Sequence, residues 1–371
     1  MAGIYIHIPF CKSKCTYCDF ASFPKEIGKA EMYFAMLYKE LKHKAYLLKD
    51  KKVNTIYFGG GTPSFVEPKY IYGALNQIYS LYKVDKNAEI TLEVNPGTIT
   101  EEKLKVYQNA GINRFSIGLQ TANDNSLRRL NRIHNTEDYL NAVKLLDGYN
   151  ISTDIMIGLP DEDIEDVKKT IDLATSSKSV KHISLYALKA EEGTPMFTRY
   201  LNGELPSDDE VADIYEECVK ILKEKGFNRY EVSNFCKGGY YSKHNLNYWK
   251  RGEYLGVGVG ASSFINNRRF TNTESIDEYI KAIFNGVVAE VYSEEIELEE
   301  QKAEYAMLLL RTEVGVSFEE YFKEFNSNFT DDFKDAIKKN RKYLVDTDYG
   351  IKIKEEYLYV QNSILVDFID R

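Results

Sequence analysis

The sequence predicts an α/β fold, an open partial (β/α)6 barrel over residues 1–290 followed by a small winged-helix-like α+β domain over residues 291–371. In the first half, strand-like and helix-like stretches alternate, which is typical of βα units that form a parallel sheet. About six such units occur, too few for a closed eight-unit barrel, so we expect an open one. From about Glu294 the pattern changes to three helices followed by short strands, as in a winged helix.

The barrel strands are short apolar runs bounded by turn residues. They are predicted at Ile4–Ile8, Thr55–Phe58, Ile90–Val94, Arg114–Leu119, Thr153–Ile157 and His182–Leu188. The helices between them are predicted at Ala30–Leu48, Lys69–Tyr82, Glu101–Ala110, Glu137–Leu146 and Asp161–Ala174. Functional residues of such barrels collect on the loops that follow the strands. The most unusual short stretches of this chain all follow strands, so we expect one ligand site at that end.

Beyond the barrel, Ser207 and Glu210 predict a capping box that opens a helix ending near Lys225, and a strand follows at Tyr230–Phe235. The C-terminal helices are predicted at Glu299–Arg311, Phe318–Phe325 and Asp331–Arg341. The short strands of the wing are predicted at Tyr343–Val345, Ile351–Ile353 and Tyr357–Val360. Acidic residues are abundant in this domain, so we do not expect it to bind DNA.

The composition is that of an ordinary globular protein, with 43% apolar and 28% charged residues. The net charge of −9 argues against nucleic acid or an anionic membrane surface as the main partner. No apolar run approaches the ~18 residues that span a bilayer, and no signal peptide precedes the first strand. Three of the five cysteines are clustered, which does not indicate a disulfide framework. We therefore expect a cytoplasmic protein.

Three cysteines, Cys11, Cys15 and Cys18, lie in the loop after the first strand. Thiolates are soft ligands that select iron–sulfur clusters, Zn²⁺ or Cu(I), and cubane clusters usually take four of them. Three thiolates would leave one iron with an open coordination position. The alternatives are a zinc site or unrelated thiols, but structural zinc needs four ligands. No fourth Cys or His follows nearby, since Phe20 stands where a further cysteine could have been.

Several further stretches at strand ends carry glycine or polar residues. Gly59, Gly60 and Gly61 allow a backbone to approach a ligand that a Cβ atom would exclude. Three polar residues stand on otherwise apolar strands: Glu93, Gln120 and Asp154. A buried polar group without a partner costs a few kcal/mol. These groups therefore either form hydrogen bonds with one another inside the barrel or hold the hydroxyl and amino-acid groups of a nucleoside.

Taken in order, these motifs resemble the radical S-adenosylmethionine superfamily. The motifs are Cys11–Phe20, Gly59–Ser64, Glu93–Pro96, Ser116–Thr121 and Asp154–Pro160. The resemblance is greatest to the branch that contains oxygen-independent coproporphyrinogen III oxidase and the HemW-type heme chaperones, and it covers nearly the whole chain. It implies a TIM-like partial barrel with a [4Fe–4S] cluster on the three cysteines. S-adenosylmethionine would complete the fourth iron, and its reductive cleavage would yield a 5′-deoxyadenosyl radical.

The resemblance also implies the residues that hold S-adenosylmethionine. Tyr5 would lie beside the cluster strand and Tyr17 against the adenine, which Ala187 would flank. Gly60, Gly61 and Thr62 would line the methionine end. The polar ligands would be Glu93, Gln120, Arg132 and Asp154. The resemblance to the oxidase branch also implies a second S-adenosylmethionine molecule that shares several of these residues. We do not assume that second molecule here.

Two departures from the oxidase favour the chaperone branch. Position 20 is Phe, and the segment His244–Trp249 matches a motif of the heme chaperones. Imidazole is a good iron ligand, and Tyr248 and Trp249 offer flat faces to a porphyrin; the alternative is a structural histidine beside two aromatic residues. Ser262 stands where the chaperones commonly have a further histidine.

We therefore expect a heme chaperone that binds heme through His244 and passes it to a membrane-bound cytochrome, as a homodimer when the cluster is loaded. The alternatives are oxygen-independent coproporphyrinogen III oxidase, a radical oxidative decarboxylase, and a radical enzyme acting on another small molecule. Whether S-adenosylmethionine is cleaved productively stays open.

Overall fold

A computed structural model describes residues 1–369. Its centre is a set of six parallel strands in chain order, as expected for a partial barrel. These strands are β1 (Ala2–Ile8), β2 (Lys52–Gly60), β3 (Lys83–Val94), β4 (Arg114–Gln120), β5 (Asn150–Ile157) and β6 (Val180–Ala187). The helices between them are α1 (Ala30–Lys44), α2 (Pro68–Leu81), α3 (Glu101–Ala110), α4 (Asp124–Arg129), α5 (Thr136–Leu145) and α6 (Ile164–Ala174). The predicted α/β fold is confirmed.

Each parallel strand separates an apolar face from a polar one, because successive side chains of a strand point to opposite sides. In β1, Ile4, Ile6 and Ile8 are fully buried and belong to the main hydrophobic core, together with residues of the surrounding helices. Tyr5 and His7 lie on the opposite face. The same alternation along β2 to β6 places polar side chains inside the barrel, where a ligand can reach them.

The sheet continues beyond the six strands on both sides, to twelve strands in the part of the chain that the structure describes. β9 (Glu253–Val257) pairs in parallel with β1, and β10 (Ser262–Ile265), β11 (Arg268–Asn272) and β12 (Glu290–Glu295) follow antiparallel. On the other side, β6 pairs with β8 (Asn234–Cys236), which pairs with β7 (Asn228–Arg229). The intervening helices are α7 (Pro195–Leu201), α8 (Asp208–Glu224), α9 (Lys243–Trp249) and α10 (Ile276–Phe284).

A buried carboxylate joins the added strands to the barrel. Glu40 on α1 is 1% exposed and pairs with Lys44 at 2.8 Å. The same carboxylate accepts hydrogen bonds from Asn272 of β11 (2.7 Å), from Tyr279 of α10 (2.6 Å) and from the Gly258 N–H (2.9 Å). Because every one of these groups is buried, the added strands are held rigidly against the first helix of the barrel.

The C-terminal segment has its own hydrophobic core, which includes Tyr321, Phe329 and Phe368. Its helices are α11 (Leu298–Leu310), α12 (Phe318–Phe325), α13 (Phe329–Asp332), α14 (Lys334–Lys339) and α15 (Asn362–Ile369). Its three-stranded sheet has the order β13 (Val316–Ser317), β15 (Gly350–Ile353), β14 (Leu344–Thr347). The predicted domain division at residue 290 stays a prediction, and β12 spans that position. No helix within residues 1–369 is both long enough and apolar enough to cross a membrane.

Three predicted elements were wrong. The strand predicted at Tyr230–Phe235 is instead a tight turn at residues 230–233 that leads into β8, because Glu231 accepts hydrogen bonds from the Ser233 N–H and the Asn234 side chain. The helix at Asp331–Arg341 is interrupted at Phe333, whose ring packs on Phe329 and Phe368. The strand at Tyr357–Val360 is instead a 3-10 turn at Glu355–Tyr357 followed by α15, and β13 provides the third strand of the wing.

Candidate functional site

A cavity of about 340 Å³ opens at the carboxyl ends of the parallel strands. The cysteine loop, residues 11–18, forms one wall of this first cavity, directly after β1. Backbone hydrogen bonds tie the loop and the residue before it to distant segments: Thr16 donates to Leu130 O (3.1 Å), Met196 donates to Thr16 O (3.0 Å) and Thr62 donates to Phe10 O (2.9 Å). The loop is therefore held in place by the barrel itself.

All three cysteines line the first cavity as free thiols. Cys11 is buried and accepts a hydrogen bond from the Thr62 hydroxyl at 3.5 Å. Arg132 donates to the Cys15 sulfur at 3.5 Å. A side chain at Gly61 would come within 2.9 Å of the Cys11 sulfur, so only glycine lets the β2 loop pass this close.

The carboxylates opposite the thiols, Glu93 and Asp154, are half-buried, and removal from solvent raises the pKa of both. Glu93 accepts hydrogen bonds from the Tyr57 hydroxyl (2.8 Å) and the Gly60 N–H (3.2 Å). Burial raises the pKa of Glu93 to about 7 against these hydrogen bonds. Burial also raises the pKa of Asp154, which accepts a hydrogen bond from Ser116 at 3.1 Å. Both carboxylates would gain from a cationic ligand.

Arg132 and Gln120 close the site at the end of β4. Arg132 donates to the Gly118 carbonyl at 2.9 Å as well as to Cys15. Gln120 has a left-handed backbone (φ 70°), which is unusual for a residue with a side chain, and the register of β4 with β5 shifts between Gly118 and Gln120. Such strain persists where the surrounding structure imposes it, often at functional sites.

The first cavity fits the group that the cysteines indicate. It brings together Cys11, Cys15, Cys18, Tyr17, Gly60, Gly61, Thr62, Glu93, Gln120, Arg132 and Asp154. Two guanidinium nitrogens, Nε of Arg114 and Nε of Arg132, are buried without a hydrogen-bond partner within residues 1–369. Three thiols with carboxylate, amide and guanidinium groups suit a three-thiolate cluster and a ligand that carries both amine and carboxylate groups.

Three more residues of the first cavity were missed by sequence reasoning: Tyr57, Arg114 and Ser116. The two-residue period of the strands could have identified them, because side chains at every second position lie on the same face of a strand. In β4, Arg114, Ser116, Gly118 and Gln120 follow one another at every second position and all line the cavity.

A second cavity of about 580 Å³ lies beside the first and shares Phe20, Gly60 and Glu93 with it. Strands β9 to β11 and α11 contribute to its walls through residues such as Tyr254, Arg269 and Glu304. Besides the shared Gly60 and Glu93, two predicted site residues, Tyr5 and Tyr248, line this second cavity. Ala187 is exposed at the end of β6 and lines neither cavity, and neither do His244 and Trp249.

His244 begins the predicted heme motif on α9, but it is 1% exposed. Its Nδ1 lies 2.9 Å from the Thr55 hydroxyl and its Nε2 lies 2.7 Å from the Tyr248 hydroxyl. Its ring stacks on Tyr57 at 5.1 Å, and burial lowers its pKa to about 3, so the imidazole is neutral. Both ring nitrogens are therefore engaged, and iron ligation by His244 would require one of these two bonds to break. This geometry is the one expected of the alternative, a structural histidine, and the heme role of His244 stays a prediction.

Comparisons with known proteins agree with the fold and the motifs. A sequence model of the Radical SAM superfamily matches residues 5–174. The heme chaperone HemW of Lactococcus lactis is 33% identical over 98% of this chain and 96% of its own length. The heme chaperone HemW of Escherichia coli is 38% identical over 70% of this chain and 69% of its own.

The solved structure of coproporphyrinogen III oxidase (HemN) from Escherichia coli, described as a radical SAM enzyme, superposes with a TM-score of 0.87. It covers 100% of this chain and 90% of its own at 20% identity, so it shares the fold. Superfamily membership implies a [4Fe–4S] cluster and S-adenosylmethionine, which favours iron over zinc at the cysteines. The chain belongs to the radical SAM superfamily and, within it, to the HemW family of heme chaperones.

Proposed function

We propose that this chain is a heme chaperone, which binds heme and transfers it to a membrane-bound cytochrome. The observation that carries the proposal is the identity of about one third, along nearly the whole chain, to proteins named heme chaperones. The oxidase resemblance is at the level of the fold. The two adjoining cavities support the proposal, since one could hold a cofactor and the other the cargo.

In this proposal the first cavity holds the cofactors. Cys11, Cys15 and Cys18 would hold the [4Fe–4S] cluster, and S-adenosylmethionine would occupy the rest of the space. When bound, the pair supplies an electron and a cleavable sulfonium. The chain's contribution is to place hydrogen-bonding groups around the ligand: Glu93, Gln120, Arg132, Asp154, Gly60, Gly61, Thr62 and Tyr17. Tyr5 and Ala187 lie outside this cavity, which gives their proposed contacts less support.

For heme we propose that the segment His244–Trp249 acts as a unit. Tyr248 lines the second cavity, and His244 holds the Tyr248 hydroxyl by a 2.7 Å hydrogen bond. Trp249 follows on the same helix and is partly exposed. Heme binding would either draw His244 out of its buried position or use it to orient Tyr248.

The wider setting is also proposed. A cytoplasmic protein of this kind would meet its cytochrome acceptor at the membrane surface, and we propose a homodimer when the cluster is loaded. Light scattering on the same preparation before and after anaerobic reconstitution would give the mass of each form. Equal masses would contradict cluster-dependent dimerisation without affecting heme binding.

The test of function compares heme binding with porphyrin turnover. Anaerobically reconstituted protein is titrated with heme, and the Soret band and the fluorescence of Trp249, the single tryptophan, are followed. Saturable binding with quenching, and no turnover of coproporphyrinogen III, is the expected result. Turnover of that substrate would favour the oxidase, and absence of binding with an intact cluster would refute the chaperone.

Two histidine variants test the motif. His244→Gln keeps a hydrogen-bonding group in the buried site, whereas His43→Ala changes an exposed histidine on α1. We expect heme affinity to fall in the first and stay unchanged in the second. Equal affinity in both would remove His244 from heme binding.

A further inference from the structure

The second cavity contains two guanidinium groups that share one carboxylate. Arg251 Nε lies 3.1 Å from Glu304, and Arg269 Nη2 lies 2.7 Å from the other oxygen of the same carboxylate. Arg251 also donates to Asn267 (2.9 Å), and Arg269 to Glu294 (3.2 Å). Glu304 and Glu294 together offset the two positive charges, so a ligand carboxylate would compete with them for the guanidinium donors.

One nitrogen of this pair is missing its partner. The Arg251 side chain is only 6% exposed, yet its Nη2 is buried and has no hydrogen-bond acceptor within residues 1–369. A buried charged donor without an acceptor is costly, because the group has lost water and gained nothing in return. Arg251 lines the second cavity, and a shift of its guanidinium would bring this unused donor to a carboxylate placed there.

The wall beside the arginines is aromatic. The Arg251 guanidinium lies 4.7 Å from the centre of the Phe264 ring, and that of Arg269 lies 6.0 Å from it. Tyr254 packs 6.4 Å from Phe264 and 4.5 Å from Tyr248, centre to centre. Phe264, Tyr254 and Tyr248 all line the cavity, whose volume of about 580 Å³ is in the range of small-molecule and cofactor sites.

The remaining charged groups of this cavity are carboxylates. Asp19 and Glu274 are exposed at its edge, and Glu93 is at the boundary with the first cavity. The cationic part of the wall is therefore confined to the neighbourhood of Arg251 and Arg269. A flat ligand with carboxylates at one edge matches a wall with aromatic rings and cations side by side.

We propose that the second cavity is the cargo site, and that Arg251 and Arg269 bind the carboxylate groups of heme while the porphyrin lies against Tyr254 and Phe264. This inference rests on the proposed function, since it takes heme as the cargo. It assigns recognition to residues outside the segment His244–Trp249. Arginine suits the task because its planar fork binds a carboxylate through two parallel hydrogen bonds.

The test compares heme with its dimethyl ester, in which the carboxylates are blocked, on full-length reconstituted protein. We expect heme to bind about tenfold to hundredfold more tightly than the ester, as for a hydrogen-bonded charged group. Arg251→Gln should remove most of that preference while leaving ester affinity unchanged. Arg269→Gln provides a second variant should the first unfold, and Arg128→Gln, an exposed arginine on α4, is the matched control.

The outcomes separate the two proposals. No binding of either ligand by the parent protein contradicts the chaperone function itself. Binding of heme and ester with equal affinity contradicts carboxylate recognition and leaves the function standing. Equal loss of both ligands in Arg251→Gln and Arg269→Gln, with folding retained, would also overturn the inference, because it would mean that the arginines only support the cavity.

Discussion

Replacing Glu93 with Gln should change how the stability of the ligand-free protein depends on pH. The free energy of unfolding of the variant, relative to that of the parent, should be higher at pH 8 than at pH 5. Glu93 is half-buried inside the barrel, and removal from solvent raises its pKa from the usual 4.5 to about 7. Between these values the folded chain holds a proton that the unfolded chain has released. The stability of the parent therefore falls as pH rises through this window, and Gln, which does not titrate, removes that fall.

The size of the effect follows from the displacement of the pKa. At 1.36 kcal/mol for each pH unit, a rise from 4.5 to about 7 corresponds to about 3 kcal/mol at pH 8. This is an upper bound, since a buried site relaxes when it ionises. Glu231, whose pKa burial also raises to about 7, contributes equally to both proteins and cancels in the difference.

Urea unfolding of the reduced, metal-free chain at pH 5 and pH 8 measures the difference, with Glu192→Gln as the control at an exposed turn. The variant should gain about 1–3 kcal/mol over the parent between the two pH values. If the two proteins change in parallel, within about 0.5 kcal/mol, Glu93 is not strained by burial and the reasoning fails.

Two further predictions concern the cysteine loop and the first helix. Gly61→Ala should reduce iron incorporation severely, because the new methyl group would press on the Cys11 sulfur at 2.9 Å. The control Gly28→Ala, with no heavy atom within 4 Å of the added carbon, should incorporate iron normally. Iron and sulfide assays on reconstituted protein measure the difference, and equal incorporation would contradict the steric argument. Glu40→Ala should lower the free energy of unfolding by about 3–5 kcal/mol, because it leaves Lys44 buried without its counter-ion, and a change below about 1 kcal/mol in urea unfolding would refute it.

Much of the barrel was predictable because its signals are local. The helix predicted at Glu101–Ala110 matches α3, where Thr100 caps the first turn and Gly111 ends the helix in a left-handed conformation. Strands β9 to β12 were not predicted, since the run Gly256–Ser263 lacks an alternating pattern. Gly256 is small because the Ser262 carbonyl lies against it, a contact that no local pattern reveals.

The site residues also divide into those predictable from local sequence and those placed by contacts with distant residues. The spacing of Cys11, Cys15 and Cys18 and the positions of Glu93 and Asp154 on otherwise apolar strands were sufficient to predict one shared cavity. Only one of the two hydrogen-bond partners of His244 could be predicted from the sequence. Tyr248 is one helical turn away, so the spacing indicates the contact, whereas Thr55 is 189 residues distant. A motif shows which residues recur together, and the fold determines whether they reach a ligand.

The shared wall between the two cavities would couple the binding of a ligand in one to the binding of a ligand in the other. Phe20, Gly60 and Glu93 face both compartments, and Glu93 carries a proton that is easily lost near neutral pH. A ligand that drives Glu93 to ionise from one side changes the electrostatic potential on the other. Thermodynamic linkage makes such an effect reciprocal, so cofactor loading and cargo loading would alter each other's affinity by the same factor. Glu93 is the ionisable side chain that lines both cavities, so its ionisation would link the two binding events.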